Sequence, residues 1–258
     1  MSQQASDPKN IKTAVEFILE SEREYVFQIP RSENVIFLMT GGIDSSIGAE
    51  LCLLKWGVTL FPIYILRGAT AQKQELAAVQ SVLTYLKSKY GSRVRDLFTI
   101  NSTVPPREVK GQLSRERVIK HGHPLRNSIM QSLAVQYGAM LNDKGTPVRT
   151  VLVASVASDF FPGSREVDLV INTLYTCSNM GEWDWQINSP MLTGNLLGKE
   201  KRLRKIDLIK WGIQNRFPFN ITRTCTKHSD NACGICEECK ERRDTFAQAG
   251  ITDPIAYS

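Results

Sequence analysis

Apolar positions in this chain fall into short continuous runs, separated by longer stretches in which they recur every three or four residues. Residues 35–39, Val-Ile-Phe-Leu-Met, form an apolar run of strand length suited to a strand buried on both faces. A helix through Trp56 follows, with Ile47, Leu51 and Leu54 on one face and Gly57 as its stop. Residues 59–65 read as a second strand, and Leu76, Val79, Leu83 and Leu86 mark an amphipathic helix ending near Gly91. The alternation continues with a strand at 97–100, a helix whose core face is Ile129, Leu133, Tyr137 and Met140, and a β-branched run at 151–156. A helix over 201–213 turns Leu203, Ile206, Ile209 and Ile213 inward. Ahead of all this, Ile11, Val15 and Ile18 stand at helical spacing before Pro30 and predict a docking helix in an N-terminal extension over 1–30. Strands interleaved with helices predict an α/β fold, a doubly wound, mostly parallel sheet that binds ligands at the C-terminal ends of its strands.

Composition narrows the class without naming a chemistry. A chain of 258 residues, 42% hydrophobic and 22% charged, has room for one full core plus a small appendage. Its apolar runs are too short to span a bilayer, and its polar start lacks the apolar region of a signal peptide. The expectation is a soluble cytoplasmic protein with no membrane partner. A net charge of +6 permits an anionic substrate or a nucleic acid and compels neither.

Between the first strand and its helix lies Thr40-Gly41-Gly42-Ile43-Asp44-Ser45-Ser46. Two glycines allow close backbone approach, and the helix start offers unpaired N–H groups and a positive dipole end, a combination that binds anions. Thr40, Ser45 and Ser46 add hydroxyls for phosphate oxygens, and Asp44 is a candidate to hold magnesium or to steady the loop. No Lys-Ser/Thr follows the glycines, so this is not the usual P-loop. A tight turn capped by Asp or Ser is the simpler reading of two glycines alone. Strand, loop and helix together favour phosphate binding.

The cysteines divide by position. Cys52 and Cys177 stand alone, while Cys233, Cys236 and Cys239 form two overlapping CxxC units, with Cys225 eight positions upstream. In a reducing compartment such clustering favours a metal over disulfides, and four convergent thiolates suit structural zinc. A redox CxxC is the competing reading; it does not require all four. His228 reads as a solvated neighbour. The tail over 225–258 is polar enough to need the metal in order to fold.

The loop resembles the pyrophosphate loop of the N-type ATP pyrophosphatases, Ser-Gly-Gly-x-Asp-Ser, with Thr40 in place of the first Ser. Cys225 through Cys239, then Arg242, Phe246, Ala249-Gly250 and Asp253-Pro254, resemble the tail of the 7-cyano-7-deazaguanine synthases, the QueC family. The resemblance implies a Rossmann-like sheet of the adenine nucleotide alpha hydrolase type over 31–224, and cleavage of ATP to AMP and pyrophosphate. It also implies adenylation of 7-carboxy-7-deazaguanine, followed by amide and then nitrile formation with ammonia, and a homodimer.

By the same resemblance, Pro124-Leu125-Arg126-Asn127 matches the family's Pro-Gly-Arg-Asn and places Arg126 and Asn127 at the nucleotide. The loop after the 151–156 run stands where the family binds substrate. There Asp159 is a candidate for the guanine-like edge, Phe160 and Phe161 for stacking, and Arg165 for the substrate's charge. That loop is two residues shorter than the family's, with Gly163 and Ser164 where Asp and Cys are usual, and a plain turn accounts for Ser164. Lys205, within a basic run of Lys199, Lys201, Arg202 and Arg204, stands where the family has a Lys, and is placed to offset phosphate charge. Arg67 matches the Arg of the family's Arg-His, but no His follows and extra residues precede Glu75.

Three other readings stay open. QueC-like proteins of antiphage defence join the deazapurine to a polypeptide amine. Other enzymes of the superfamily modify or sulfurate tRNA, which needs cysteines outside a closed zinc site. A non-catalytic nucleotide-binding partner would keep the loop and lose turnover.

Overall fold

The apolar run at 35–39 becomes the central strand of a five-stranded sheet. In the computed structural model, which describes residues 8–159, 161–192, 196–198 and 202–258, the strands are β1 (Asn34–Leu38), β2 (Thr59–Leu66), β3 (Phe98–Asn101), β4 (Thr150–Leu152) and β5 (Gln186–Asn188). Their order is β3-β2-β1-β4-β5 and every pairing is parallel. The helices are α1 (Pro8–Arg23), α2 (Ile43–Lys55), α3 (Gln72–Tyr90), α4 (Arg107–Lys110), α5 (Arg115–His121), α6 (Arg126–Asp143), α7 (Glu166–Met180), α8 (Lys205–Gln214) and α9 (Glu237–Gln248).

Side chains alternate across the sheet as strand geometry requires. Val35 and Phe37 enter a core shared with Ile47 of α2, Val79 of α3, Leu208 of α8 and Phe246 of α9. Ile36 enters the opposite core, with Ala134 of α6 and Leu169 and Cys177 of α7. The sheet is therefore doubly wound. The chain builds outward from β1 to β3 on one side and from β4 to β5 on the other, so the connections diverge between β1 and β4. Such a switch point opens a crevice at the strand C-termini.

Several sequence expectations shift in register. Leu54 is 47% exposed, because α2 is enclosed on most of its circumference and leaves only its C-terminal end to solvent. On α6 the buried set is Gln131, Ala134, Val135, Tyr137, Gly138 and Leu141, so Ile129, Leu133 and Met140 lie at the edge of that face. The helix expected over 201–213 starts at Lys205 and buries Leu208, Ile209 and Trp211; Lys199 and Lys201 lie outside the described residues. The extension does dock, through α1 on α7, yet by another face than Ile11 and Ile18, which are exposed. Leu19 is buried, Lys12 pairs with Glu166 at 3.0 Å, and Arg23 donates to the carbonyl of Trp185 at 2.6 Å. Residues four apart on the docking side are mixed in polarity, which hides that face from an apolar-periodicity reading.

Leu125 occupies the left-handed region, with φ 52° and ψ 10°, immediately before α6, and is 72% exposed. A leucine there carries about 1–2 kcal/mol of strain. Glycine removes the strain but adds about 0.5–1 kcal/mol of backbone entropy to the unfolded chain. Leu125→Gly is therefore expected to fold normally and to gain between about 0 and about 1.5 kcal/mol, measured by thermal or urea unfolding of the full chain.

Candidate active site

The phosphate loop sits at the switch point, between the end of β1 and the start of α2. Gly41 has φ +74°, and a Cβ there would stand 2.8 Å from the Glu75 carbonyl and 2.9 Å from Ala78 Cβ, so both conformation and space demand glycine. The hydroxyls expected to face phosphate are turned inward. Ser46 Oγ donates to the Gly42 carbonyl at 2.6 Å. Ser45 Oγ donates to the same carbonyl at 3.2 Å, accepts from Thr40 N at 3.2 Å and lies 2.9 Å from Thr40 Oγ1. Both serines are fully buried. They shape the loop, and Thr40 keeps the exposed position.

Three cavities meet at this loop. One of about 280 Å³ is lined by Thr40, Gly42, Asp44, Arg67, Arg126 and Lys205 among others. A second of about 190 Å³ runs from Met39 and Thr40 past Tyr64 to Arg126, Asn127 and Met130. The third, about 200 Å³, joins Asp44 to Asn127, Ser155, Asp159 and Ser164. The first is cationic, the second largely apolar, and the third lies beneath the loop that follows β4.

Asp44 is the pivot of the cationic cavity. Its Oδ2 stands 3.7 Å from Lys205 Nζ, while its Oδ1 is buried without a hydrogen-bond partner. Burial pushes its carboxyl up to about 6, Lys205 pulls it down, and Asp159 adds to the rise. Lys205 opens α8 and also reaches Glu241 at 2.7 Å. Burial works against its charge, but Asp44 and Glu241 hold the ammonium above its ordinary value. Arg126 opens α6; burial and then the neighbouring Arg67 lower its basicity. A cation at a helix start opposes the dipole, so this arrangement is strained in the absence of an anion.

Arg67 is held by Glu75. Its guanidinium makes a two-point contact with the Glu75 carboxylate, at 2.7 and 3.0 Å, and Tyr64 donates to the same carboxylate at 3.0 Å. Glu75 is buried in the first turn of α3, eight positions after Arg67. The pairing joins the end of a strand to a helix start, which local spacing does not reveal.

The loop after β4 is tied to α6. Asn127 Nδ2 donates to Ser164 Oγ at 2.8 Å, and Gln131 Nε2 to the Gly163 carbonyl at 3.1 Å. Ser164 thus does more than a plain turn requires. Asp159 accepts from Val156 N at 3.1 Å and faces the third cavity; burial raises its carboxyl, against that hydrogen bond and Lys205. Phe161 is half-buried, and Phe160 lies outside the described residues. Arg165 does not join the site. Its guanidinium closes on Asp168 at 2.7 and 2.8 Å, and the Asp168 carboxylate caps the start of α7 by accepting from the Arg165 backbone N–H at 3.2 Å.

The four thiols of Cys225, Cys233, Cys236 and Cys239 converge, all sulfurs lying within 4.8 Å of one another. A tetrahedral zinc–thiolate site separates its sulfurs by about 3.8 Å, and Cys233 and Cys239 stand 4.0 Å apart. Backbone N–H groups of Lys227 and Cys233 each reach Cys225 Sγ at 3.4 Å, and that of Cys236 reaches Cys233 Sγ at 3.4 Å. Donors aimed at sulfur suit thiolates, and amides of Ile235 and Cys236 bring the Cys233 thiol down to about 6. The set fits a closed four-sulfur metal site, and His228 is outside it. Behind it, the fully buried Arg242 bridges Asp253, at 2.7 Å, to Thr222. That pair gives Arg242 and Asp253 a structural role. Cys52 and Cys177 are buried to 0% exposure on opposite faces of the sheet.

A sequence profile described as "Queuosine biosynthesis protein QueC" matches residues 34–250. The chain belongs to the QueC family. The match begins with β1 and ends after α9, so it takes in the loop, the switch-point cavities and the cysteine cluster, and leaves out α1. The chain is thus an enzyme of the ATP-using, ligase type. Relatives named 7-cyano-7-deazaguanine synthase include that of Nautilia profundicola, 26% identical over 240 residues, covering 87% of this chain and 98% of that protein. Those of Koribacter versatilis (25% identical, covering 86% of this chain and 92% of that protein) and Thermoplasma volcanium (26%, covering 88% and 91%) are similar to the same extent. Among the described residues no helix is long and apolar enough to cross a membrane.

Proposed function

We propose that this QueC-family chain adenylates a 7-deazapurine carboxylate, 7-carboxy-7-deazaguanine or a close analogue, and passes the acyl group to ammonia. The observation that carries this reading is the cationic cavity, where the phosphate loop, Arg67, Arg126 and Lys205 surround a carboxylate with one unpartnered oxygen. A triphosphate fits the charge, and magnesium, held by Asp44 Oδ1, fits the orphaned oxygen and would neutralise phosphate charge.

In the proposed reaction a substrate carboxylate oxygen attacks the α-phosphorus of ATP, and pyrophosphate leaves along Gly41, Gly42 and the α2 N-terminus. Lys205 and Arg126 offset the charge that develops there. Ammonia then attacks the acyl carbon, AMP leaves, and the amide forms. The amide oxygen then attacks the α-phosphorus of a second ATP and pyrophosphate leaves; departure of AMP with loss of both amide protons gives the nitrile. The apolar cavity lined by Met39, Tyr64, Asn127 and Met130 would take the adenine, and Asp159 with Phe161 the deazapurine. Zinc at the four cysteines would be structural, since no ligand position is left open. The functional units are then the extension 1–30, the catalytic domain 31–224 and the metal-binding tail 225–258. Sulfur transfer to tRNA is disfavoured by the complete burial of Cys52 and Cys177.

The test is to incubate purified protein with ATP, magnesium, the carboxylate and either ammonium or a polypeptide with a free amine, and to weigh the products. Amide and then nitrile, with AMP and pyrophosphate, are expected with ammonium. A covalent adduct with the polypeptide alone would move the acceptor to that amine. Release of ADP and phosphate would refute the reading. Sedimentation of the same sample tests the homodimer.

The pH dependence has a defined sign. Asp44 binds magnesium only when ionised, so affinity for magnesium-ATP should fall as pH drops through about 6 and level off above 7. The folded carboxyl lies above its ordinary 3.8, so between about 4 and 6 the unfolded chain has fewer protons at this group. Asp44's contribution to stability therefore decreases as pH rises through that window. Titration of magnesium-ATP binding alongside thermal unfolding from pH 5 to 8 checks both, and opposite trends below pH 6 are expected.

A further inference from the structure

Arg223 joins the cysteine cluster to the phosphate loop. Its backbone N–H donates to the Gly41 carbonyl at 2.7 Å, on the outer side of the loop. Its guanidinium donates to the carbonyls of Asp230 at 2.9 Å, Lys227 at 2.9 Å and Ser229 at 2.7 Å. Those carbonyls belong to the segment between Cys225 and Cys233. One residue thus joins the two: its side chain holds the metal-binding loop and its backbone holds the phosphate loop.

The charge of Arg223 is not neutralised by this arrangement. Among the described residues its contacts are carbonyls, and no carboxylate pairs with it, whereas Arg67, Lys205 and Arg242 each have one. A guanidinium carries five N–H donors, and three are engaged. The Nε–H is buried with no acceptor. An anion at this position would supply both the missing acceptor and the missing counter-charge. Arg223 lines the cationic cavity beside Thr40, Gly42 and Lys205, and it also lines a groove of about 560 Å³ between α3 and the tail. Arg223 is thus a wall common to the two.

We propose that Arg223 is a further ATP-binding residue, which engages the β- and γ-phosphates from the outer side of the loop and so makes the cysteine-bound segment one wall of the pyrophosphate site. The assignment rests on the ATP reading given above. Lys205 and Arg126 approach the phosphates from α8 and α6, and Arg223 supplies the cation from the tail. Because its carbonyl partners fix the guanidinium before ligand arrives, little side-chain entropy is lost on binding.

Calorimetric titration of the full-length, metal-loaded protein with ATP, inorganic pyrophosphate and AMP tests it. Arg223→Ala keeps the backbone N–H to Gly41 and removes the guanidinium. It should weaken ATP and pyrophosphate by about 10-fold or more, as loss of a hydrogen bond to a charged group does, and change AMP by less than about 2-fold. Arg223→Lys keeps the charge and should recover most of the pyrophosphate affinity, with metal content equal to wild type. Unchanged pyrophosphate affinity in Arg223→Ala, equal weakening of AMP and ATP, or no recovery in Arg223→Lys would each overturn the role. Wild-type protein that binds neither ATP nor pyrophosphate would overturn the proposed function itself, which separates the two failures.

Discussion

Asp44→Asn should lower turnover on the order of 10²–10³-fold, the loss typical of removing one electrostatic partner of a developing charge, while the protein stays folded. The substitution keeps the shape of the side chain and replaces its charge with an amide. Asp44 is 24% exposed, its Oδ1 has no partner, and its contact with Lys205 is a long 3.7 Å. Little of the fold depends on it. Lys205 keeps Glu241 at 2.7 Å, so no cation is orphaned. Burial already disfavours the ionised carboxylate, so the neutral amide should leave the melting temperature unchanged or slightly higher at pH 7. A carboxylate kept at a cost to stability marks a functional requirement. Steady-state pyrophosphate release and a thermal melt of the same preparation give both numbers. A large fall in the melting temperature, or turnover within about 3-fold of wild type, would remove Asp44 from the reaction.

Cys233→Ser should have the largest effect on stability. Wild-type protein is expected to carry about one zinc per chain, and the variant substantially less, since a hydroxyl does not replace a thiolate. The binding free energy of a structural zinc is folding free energy for the segment that holds it. That segment has a small core of its own, built on Cys225, Ala232 and Cys239 with Ile255 and Tyr257 packed beside them. The consequences extend inward, because Arg223 connects the 227–230 carbonyls to Gly41 and Phe246 of α9 reaches the main core. A loss of several kcal/mol corresponds to a fall of roughly 10 °C or more for a domain of this size. Metal analysis with thermal unfolding checks it. Metal-free protein with wild-type stability would show that the cysteines only happen to be close.

The active-site arrangement was legible where local covalent order carries it and hidden where distance in sequence is large. The Gly-Gly turn is readable because a strand, a turn and a helix start are consecutive, and the resulting dihedrals demand glycine at Gly41. The thiols are readable because 225, 233, 236 and 239 are close along the chain. Arg165 shows a contact that competes with a site role. Its position suggested the substrate, but Asp168 three residues on takes its guanidinium first.

By itself, the sequence determined the alternation of strands and helices, the buried first strand, the phosphate loop and the cysteine cluster. Each of these is written in contiguous apolar runs or short spacings. It did not reveal β5, whose Gln186 is polar yet buried; a hydrogen bond to Thr150 on the neighbouring strand is what permits this. Nor did it reveal which face of α1 docks, because that face depends on ion pairs such as Lys12–Glu166 across the packing interface. Only the folded chain brings Arg67 onto Glu75, Asn127 onto Ser164, and Arg223 between the loop and the tail. Polar partners of this kind are chosen by the low dielectric of the interior, where an unpaired group is expensive and the nearest available acceptor decides. Which acceptor is nearest is a property of the tertiary structure alone.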